Sequence, residues 1–205
     1  ITISGTSSSA TGGHGVEIVD ADSRVSTVDG DIQITGTTGN GDGVLLNAST
    51  TLAVQATGTA NISLNGEATA AATGIRIDTE IDSNSGTVTV TAEDDVQFGA
   101  AGLIDSTSGT MTVIADNAAG DNGSVITMTD GALIDAGSGL IDLDADGDIT
   151  LAGLLTSTEV QVTTANGAIV DGGNSNPEVT AATVAVRALT GVGTDGDSLE
   201  TVSDG

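Results

Sequence analysis

The chain has no cysteine, no tryptophan and no tyrosine, one phenylalanine (Phe98), and only three cationic side chains, Arg24, Arg76 and Arg187. Without cysteine there is no disulfide framework and no thiolate metal site. Ordinary globular cores draw much of their buried area from aromatic rings. Here the apolar residues are almost all Ala, Val, Ile and Leu, which suits a narrow core of small, branched side chains. Against the three cations stand 29 Asp and Glu, a formal net charge of -26 at pH 7. Such a surface repels nucleic-acid phosphates and anionic membranes, and it attracts divalent cations. No apolar run is long enough to cross a bilayer as a helix. The chain opens on Ile1 with no initiator methionine and no leader pattern, so an excerpt from a longer protein is expected.

A length of 205 residues fits one or two globular domains. High net charge with few aromatics is also a signature of disorder. Two features oppose that reading: the mean hydropathy is +0.18, and the apolar residues recur in register.

The recurrence is direct. Ile1-Thr2-Ile3-Ser4-Gly5 returns as Ile32-Gln33-Ile34-Thr35-Gly36 and as Ile62-Ser63-Leu64-Asn65-Gly66. Each copy is followed by a glycine-led partner: Gly15-Val16-Glu17-Ile18, Gly43-Val44-Leu45-Leu46 and Gly74-Ile75-Arg76-Ile77. A second, related family contains Ser85-Gly86-Thr87-Val88-Thr89-Val90-Thr91-Ala92, Ser108-Gly109-Thr110-Met111-Thr112-Val113-Ile114-Ala115 and Ser138-Gly139-Leu140-Ile141-Asp142-Leu143-Asp144-Ala145. Weaker copies surround Val160 and Val184. Short apolar strands intervene at 102–105, 132–135, 153–155 and 168–171.

Each unit reads as a strand. Val88, Val90 and Ala92 alternate with Thr87, Thr89 and Thr91, a period of two with one apolar and one hydroxyl-bearing face. Gly, Asn, Asp and Ser close the units and supply turns. Asp-Gly-Asp recurs at 29–31, 146–148 and 195–197. One unit cannot bury its apolar face, but a stack of units can. The expected fold is therefore all-β: a single-stranded parallel β-helix (β-solenoid) of roughly eight rungs, about 40 Å long at about 4.8 Å per rung. Residues 1–190 are assigned to this repeat domain. Residues 191–205 lose the alternation and are assigned to an irregular end, a loop, cap or linker.

The Ser-Gly-x-apolar-x-apolar-x-Ala units and the Gly147-Asp148-Ile149-Thr150-Leu151 run resemble the repeats of filamentous-haemagglutinin-type adhesins and of giant repeat-rich bacterial surface proteins. The resemblance extends from Ile1 to about Leu189. It implies a right-handed parallel β-helix, secreted to the cell surface, that builds fibres or matrices and carries no shared catalytic residue.

Asp142, Asp144, Asp146 and Asp148 are the candidate metal ligands. Their D-x-D-x-D-G order is the first half of a calcium loop, in which alternate carboxylates and a sixth-position glycine wrap a hard cation. The twelfth position, where a bidentate Glu belongs, is Gly153. The competing reading is a strand with Ile141, Leu143 and Ala145 inward and solvated aspartates outward. His14 stands alone in a glycine-rich turn, where exposure is the simpler account. The acceptor patterns at Asn47, Asn61 and Asn122 carry little information in a bacterial chain. No cofactor is required; calcium is the one candidate.

Three functions follow as expectations. The first is a non-catalytic structural or adhesive segment of an extracellular surface or fibre-forming protein. It would associate end to end or with flanking repeats, and its partners would be cell-surface glycans or other matrix components. The second is a calcium-dependent matrix or surface-layer component. The third is a polysaccharide-degrading β-helix enzyme, which would need two carboxylates roughly 5–9 Å apart. Asp142 and Asp144 can meet that distance, as can many pairs in so acidic a chain, but no aromatic sugar platform is present beyond Phe98 and only three cations could meet a polyanionic substrate.

Overall fold

The computed structural model describes residues 1–205 except 10, 48, 50, 70–72, 117–122, 173–176, 195–197 and 204–205. The last Asp-Gly-Asp run and Asn122 lie outside the described residues. Among those described there is no helix, and the strands form three parallel sheets of eight strands each, wound as a β-solenoid of about seven turns. Successive strands along the chain enter the first, second and third sheet in rotation.

The first sheet stacks Thr2–Ser7, Ile32–Thr38, Ile62–Ala68, Val88–Ala92, Met111–Ala115, Ile141–Ala145, Glu159–Thr164 and Thr183–Arg187. The two sequence families are therefore one sheet, joined where Val88 pairs with Ile62. The second sheet runs from Val16–Ile18 through Val44–Leu46, Thr73–Ile77, Asp95–Phe98, Ile126–Met128, Ile149–Leu151 and Ala168–Asp171 to Gly191–Val192. The third contains Val25–Thr27, Leu52–Ala56, Glu80–Ser83, Leu103–Ser106, Leu133–Asp135, Leu154–Leu155, Val179–Ala181 and Thr201–Ser203.

Two segments join the sheets as follows. Ala168–Asp171 matches the third-sheet units in sequence but pairs with Ile149–Leu151 of the second sheet. A three-residue apolar core has too few positions to specify its sheet; the length of the connecting turns does. The segment 191–205, where alternation fades, still contributes Gly191–Val192 and Thr201–Ser203. Parallel pairing uses backbone groups that every residue but proline carries, and on the last rung the side chains of these strands are exposed.

Register converts the alternation into columns. Ile3, Ile34, Leu64, Val90, Val113, Leu143, Val162 and Val186 lie one above another in the first sheet. The second-sheet column Ile18, Leu46, Ile77, Phe98 and Met128 holds the bulkier side chains. A representative rung buries Val88, Val90, Ala92, Val96, Phe98 and Ile104. Each such aliphatic side chain contributes about 1.5–3 kcal/mol by leaving water.

The corners need their own chemistry, because the backbone there leaves the sheets. Asp31 accepts the Asn61 N–H at 2.9 Å, and Asn61 accepts the Thr87 N–H at 3.0 Å, one rung on each time. Buried hydroxyls do the same at the corner between the third and first sheets: Ser106 Oγ accepts the Gly109 N–H at 2.8 Å. The Ser106 bond satisfies a turn N–H that would otherwise be buried unpaired. At the corner between the first and second sheets, Gly5, Gly36 and Gly66 form a column. A Cβ on Gly36 would land on the Gly43 carbonyl oxygen. At Ala92, Ala115 and Ala145 the column accepts alanine, and at Thr164 it accepts threonine.

Two substitutions probe this packing. Phe98→Ala leaves a cavity in mid-stack and is expected to cost about 3–5 kcal/mol. Gly36→Val forces the corner apart, at about 1–3 kcal/mol. Urea titration of each variant tests both; a Phe98→Ala midpoint equal to that of the wild type would mean that the core relaxes around the gap.

Candidate functional site

The outward faces of the sheets carry the polar chemistry. In the third sheet Gln55, Asp82, Asp105 and Asp135 lie in register on successive rungs. The Gln55 amide donates to Asp82 at 2.8 Å. The remaining aspartates face one another at the rung spacing, about 4.8 Å. Asp105 is consequently held above the usual carboxylate range, first by partial burial and then by Asp135 and Asp82. Glu80 is raised by burial, with Asp82 and Asp105 adding to it.

The four aspartates singled out in the sequence are spread over a strand and a turn. Asp142 and Asp144 project outward from Ile141–Ala145, while Ile141, Leu143 and Ala145 face the core. Partial burial raises Asp142; Asp144 is raised by burial and by Asp142, Asp116 and Asp146. Asp146 and Asp148 already have structural work. Asp146 Oδ1 accepts from the Asn166 side chain at 2.7 Å, and Asp148 Oδ1 accepts the Ala168 N–H at 2.7 Å. Both bonds tie the turn to the next rung, as Asp31 does at the earlier Asp-Gly-Asp run.

The cations and the histidine lie elsewhere. Arg76 Nε meets Asp78 Oδ2 at 2.8 Å. His14 Nδ1 accepts the Asp42 N–H at 3.1 Å, which links two rungs. Burial raises Asp42, an effect that His14 and then Arg76 partly offset. Arg187 lines an open groove with Asp144 and Thr163 on the first sheet.

Among the described residues, one group of three carboxylates converges: Asp171, Glu178 and Glu200 each place an oxygen within 4.8 Å of the others. Asp171 ends a second-sheet strand, in register with the buried Leu151. Glu178 and Glu200 immediately precede the third-sheet strands Val179–Ala181 and Thr201–Ser203, whose register stacks them. Glu178 is fully buried. Its Oε2 accepts the Glu200 N–H at 2.9 Å. Burial pushes the Glu178 carboxyl up to about 7, with the Glu200 carboxyl and Asp171 adding to the rise. The sequence reading misses this group because it classes Ala168–Asp171 with the short strands at 102–105, 132–135 and 153–155, which belong to the third sheet. Alignment with Ile149–Leu151 exposes the signal, an aspartate in a leucine column. The register also places Gly153, the residue where a calcium loop would carry its Glu, directly below Glu178.

No protein-family model, curated protein or solved structure matches the chain. The likeness to haemagglutinin-type repeats therefore rests on the repeat units themselves.

Asp42, Glu80, Asp105, Asp142 and Asp144 are all displaced upward. A carboxyl whose folded pKa exceeds its unfolded value binds its proton more tightly in the folded chain, so protonation favours folding. That contribution is complete below the unfolded values of 3.8 and 4.5 and is lost as pH rises past the raised folded values. In chelator and low salt, the melting temperature followed by circular dichroism is therefore expected to rise as pH falls from above the raised folded values toward the ordinary values of 4.5 and 3.8. A fall over that interval would mean that the charged carboxylates are the stabilised form.

Proposed function

We propose that the chain is a structural or adhesive segment of an extracellular bacterial surface or fibre-forming protein, with no catalytic role. The observation that supports this best is the repeated rung: in each of the three sheets every strand pairs in parallel with the equivalent strand of a neighbouring rung. The same backbone bonds and apolar columns can add a further rung, from a second copy or from flanking repeats of the same chain. A head-to-tail contact of this kind propagates into a filament rather than closing.

The sides suit contact with a matrix. Rows of hydroxyls such as Thr89 and Thr112, which are in register, offer repeated hydrogen-bonding positions at rung spacing. Cell-surface glycans or other neutral, hydroxyl-rich matrix components fit such faces; nucleic acid and anionic membranes do not, given a charge of -26. A second reading, a calcium-dependent matrix or surface-layer component, is favoured by the Asp82–Asp105–Asp135 row. Like charges held in register repel unless screened or bridged.

Electron microscopy and X-ray scattering of the purified protein, with and without calcium, test these readings. Fibres or rods that lengthen with concentration and show an axial repeat near 4.8 Å are expected. Fibres that form only with calcium would select the matrix reading. Particles that stay monomeric at every concentration in both conditions would remove self-association from the proposal.

A further inference from the structure

The second-sheet column Ile18, Leu46, Ile77, Phe98 and Met128 is apolar throughout, and Leu151 follows on the next rung. The position after that is Asp171. A column that faces the core thus carries a carboxylate at this rung, and beside it lie two more. Glu178 has no exposed surface, and its Oε1 has no hydrogen-bond partner among the described residues; the same holds for the buried Glu200 Oε2. An ionised carboxylate taken out of water and left unmatched is among the costliest arrangements in a protein. The chain's own cations are placed elsewhere: Arg76 on Asp78, Arg187 on the groove beside Asp144, and Arg24 in a turn at the opposite end.

We propose that Asp171, Glu178 and Glu200 bind one calcium ion, which ties together the two rungs that carry them. Ligand oxygens around one calcium ion lie about 2.3–2.6 Å from it, so any two are at most about 5 Å apart. The three carboxylates meet that limit, with oxygens within 4.8 Å of one another. The donor set is oxygen only, which selects a hard cation over zinc or copper. The Glu200 N–H bond to Glu178 Oε2 fixes one carboxylate and leaves Oε1 for the ion. Asp171 and Glu200 are half-buried, so water can reach the site and complete a shell of six to eight ligands. The residues span two sheets and two rungs. The ion would therefore pin the Val179–Ala181 and Thr201–Ser203 strands to the end of the second sheet.

This inference stands apart from the structural or adhesive reading: a stack can form fibres with or without the ion. The test is isothermal titration of the full chain with calcium in about 0.15 M salt, which screens diffuse binding to the acidic surface. One saturable site per chain is expected, weakened at least about tenfold in Glu178→Gln, where the charged ligand is lost at nearly constant shape. Asp105→Asn, in the third-sheet row, is expected to bind like the wild type. Calcium should raise the melting temperature of the wild type and not that of Glu178→Gln, with circular dichroism confirming that the variant folds. Absence of a saturable site, or an equal site in Glu178→Gln, overturns the proposal. So does a Glu178→Gln variant that is more stable than the wild type while neither binds calcium; protons shared among the carboxyls would then neutralise the group. Fibres without the site, or the site without fibres, show which of the two readings has failed.

Discussion

Parallel backbone pairing between rungs is the constraint on which everything else depends. A single rung of this chain, three short strands and their turns, exposes its apolar side chains above and below. Only the next rung covers them, and it does so because the strand hydrogen bonds hold it in register. Ile34 lies over Ile3 and under Leu64 for that reason. The same register sets the size of every core position. A glycine is required at position 36 because the Gly43 carbonyl occupies the place of its Cβ, and Phe98 is accommodated between Ile77 and Met128.

The repetition that builds the core also governs the electrostatics. Stacking places like residues over like. For valine or threonine this is favourable, since identical shapes pack and hydroxyls find partners. For aspartate it concentrates charge, as in Asp82, Asp105 and Asp135. The chain answers in two ways. Some carboxylates are turned into turn caps, as Asp31 and Asp148 are through backbone N–H groups of the following rung. Others remain in rows and keep their protons more readily than free aspartate does. Protonation of these carboxyls therefore favours the folded stack.

The acidic group at the last rungs follows from the same geometry in reverse. In the second-sheet core column Asp171 takes the position above Leu151. Glu178 and Glu200 stack because Val179 and Thr201 do. Asp171 and Glu178 belong to one rung, and Glu200 joins them because the next turn of the solenoid returns the chain to that corner.

Much of the fold was legible in the residues. The Ile-x-Ile-x-Gly and Ser-Gly-x-apolar-x-apolar-x-Ala units predicted the first sheet and its register, because period-two alternation over five or more residues admits one pairing. The third sheet was less visible. Val25–Thr27 and Glu80–Ser83 are short and half polar, so alternation has no length over which to declare itself. Ala168–Asp171 groups with the third-sheet strands by sequence for the same reason. The aspartates of 142–148 were legible as outward residues of a strand, yet the bonds of Asp146 and Asp148 to the next rung depend on a residue some twenty positions away. By itself, then, the sequence determined a parallel solenoid of aliphatic rungs with an acidic, hydroxyl-rich exterior, since local period and composition are properties of neighbouring residues. Which short strand joined which sheet, which aspartates became caps, and where three carboxylates converged were decided by the tertiary structure, because each depends on how far the chain travels before the next rung brings it back.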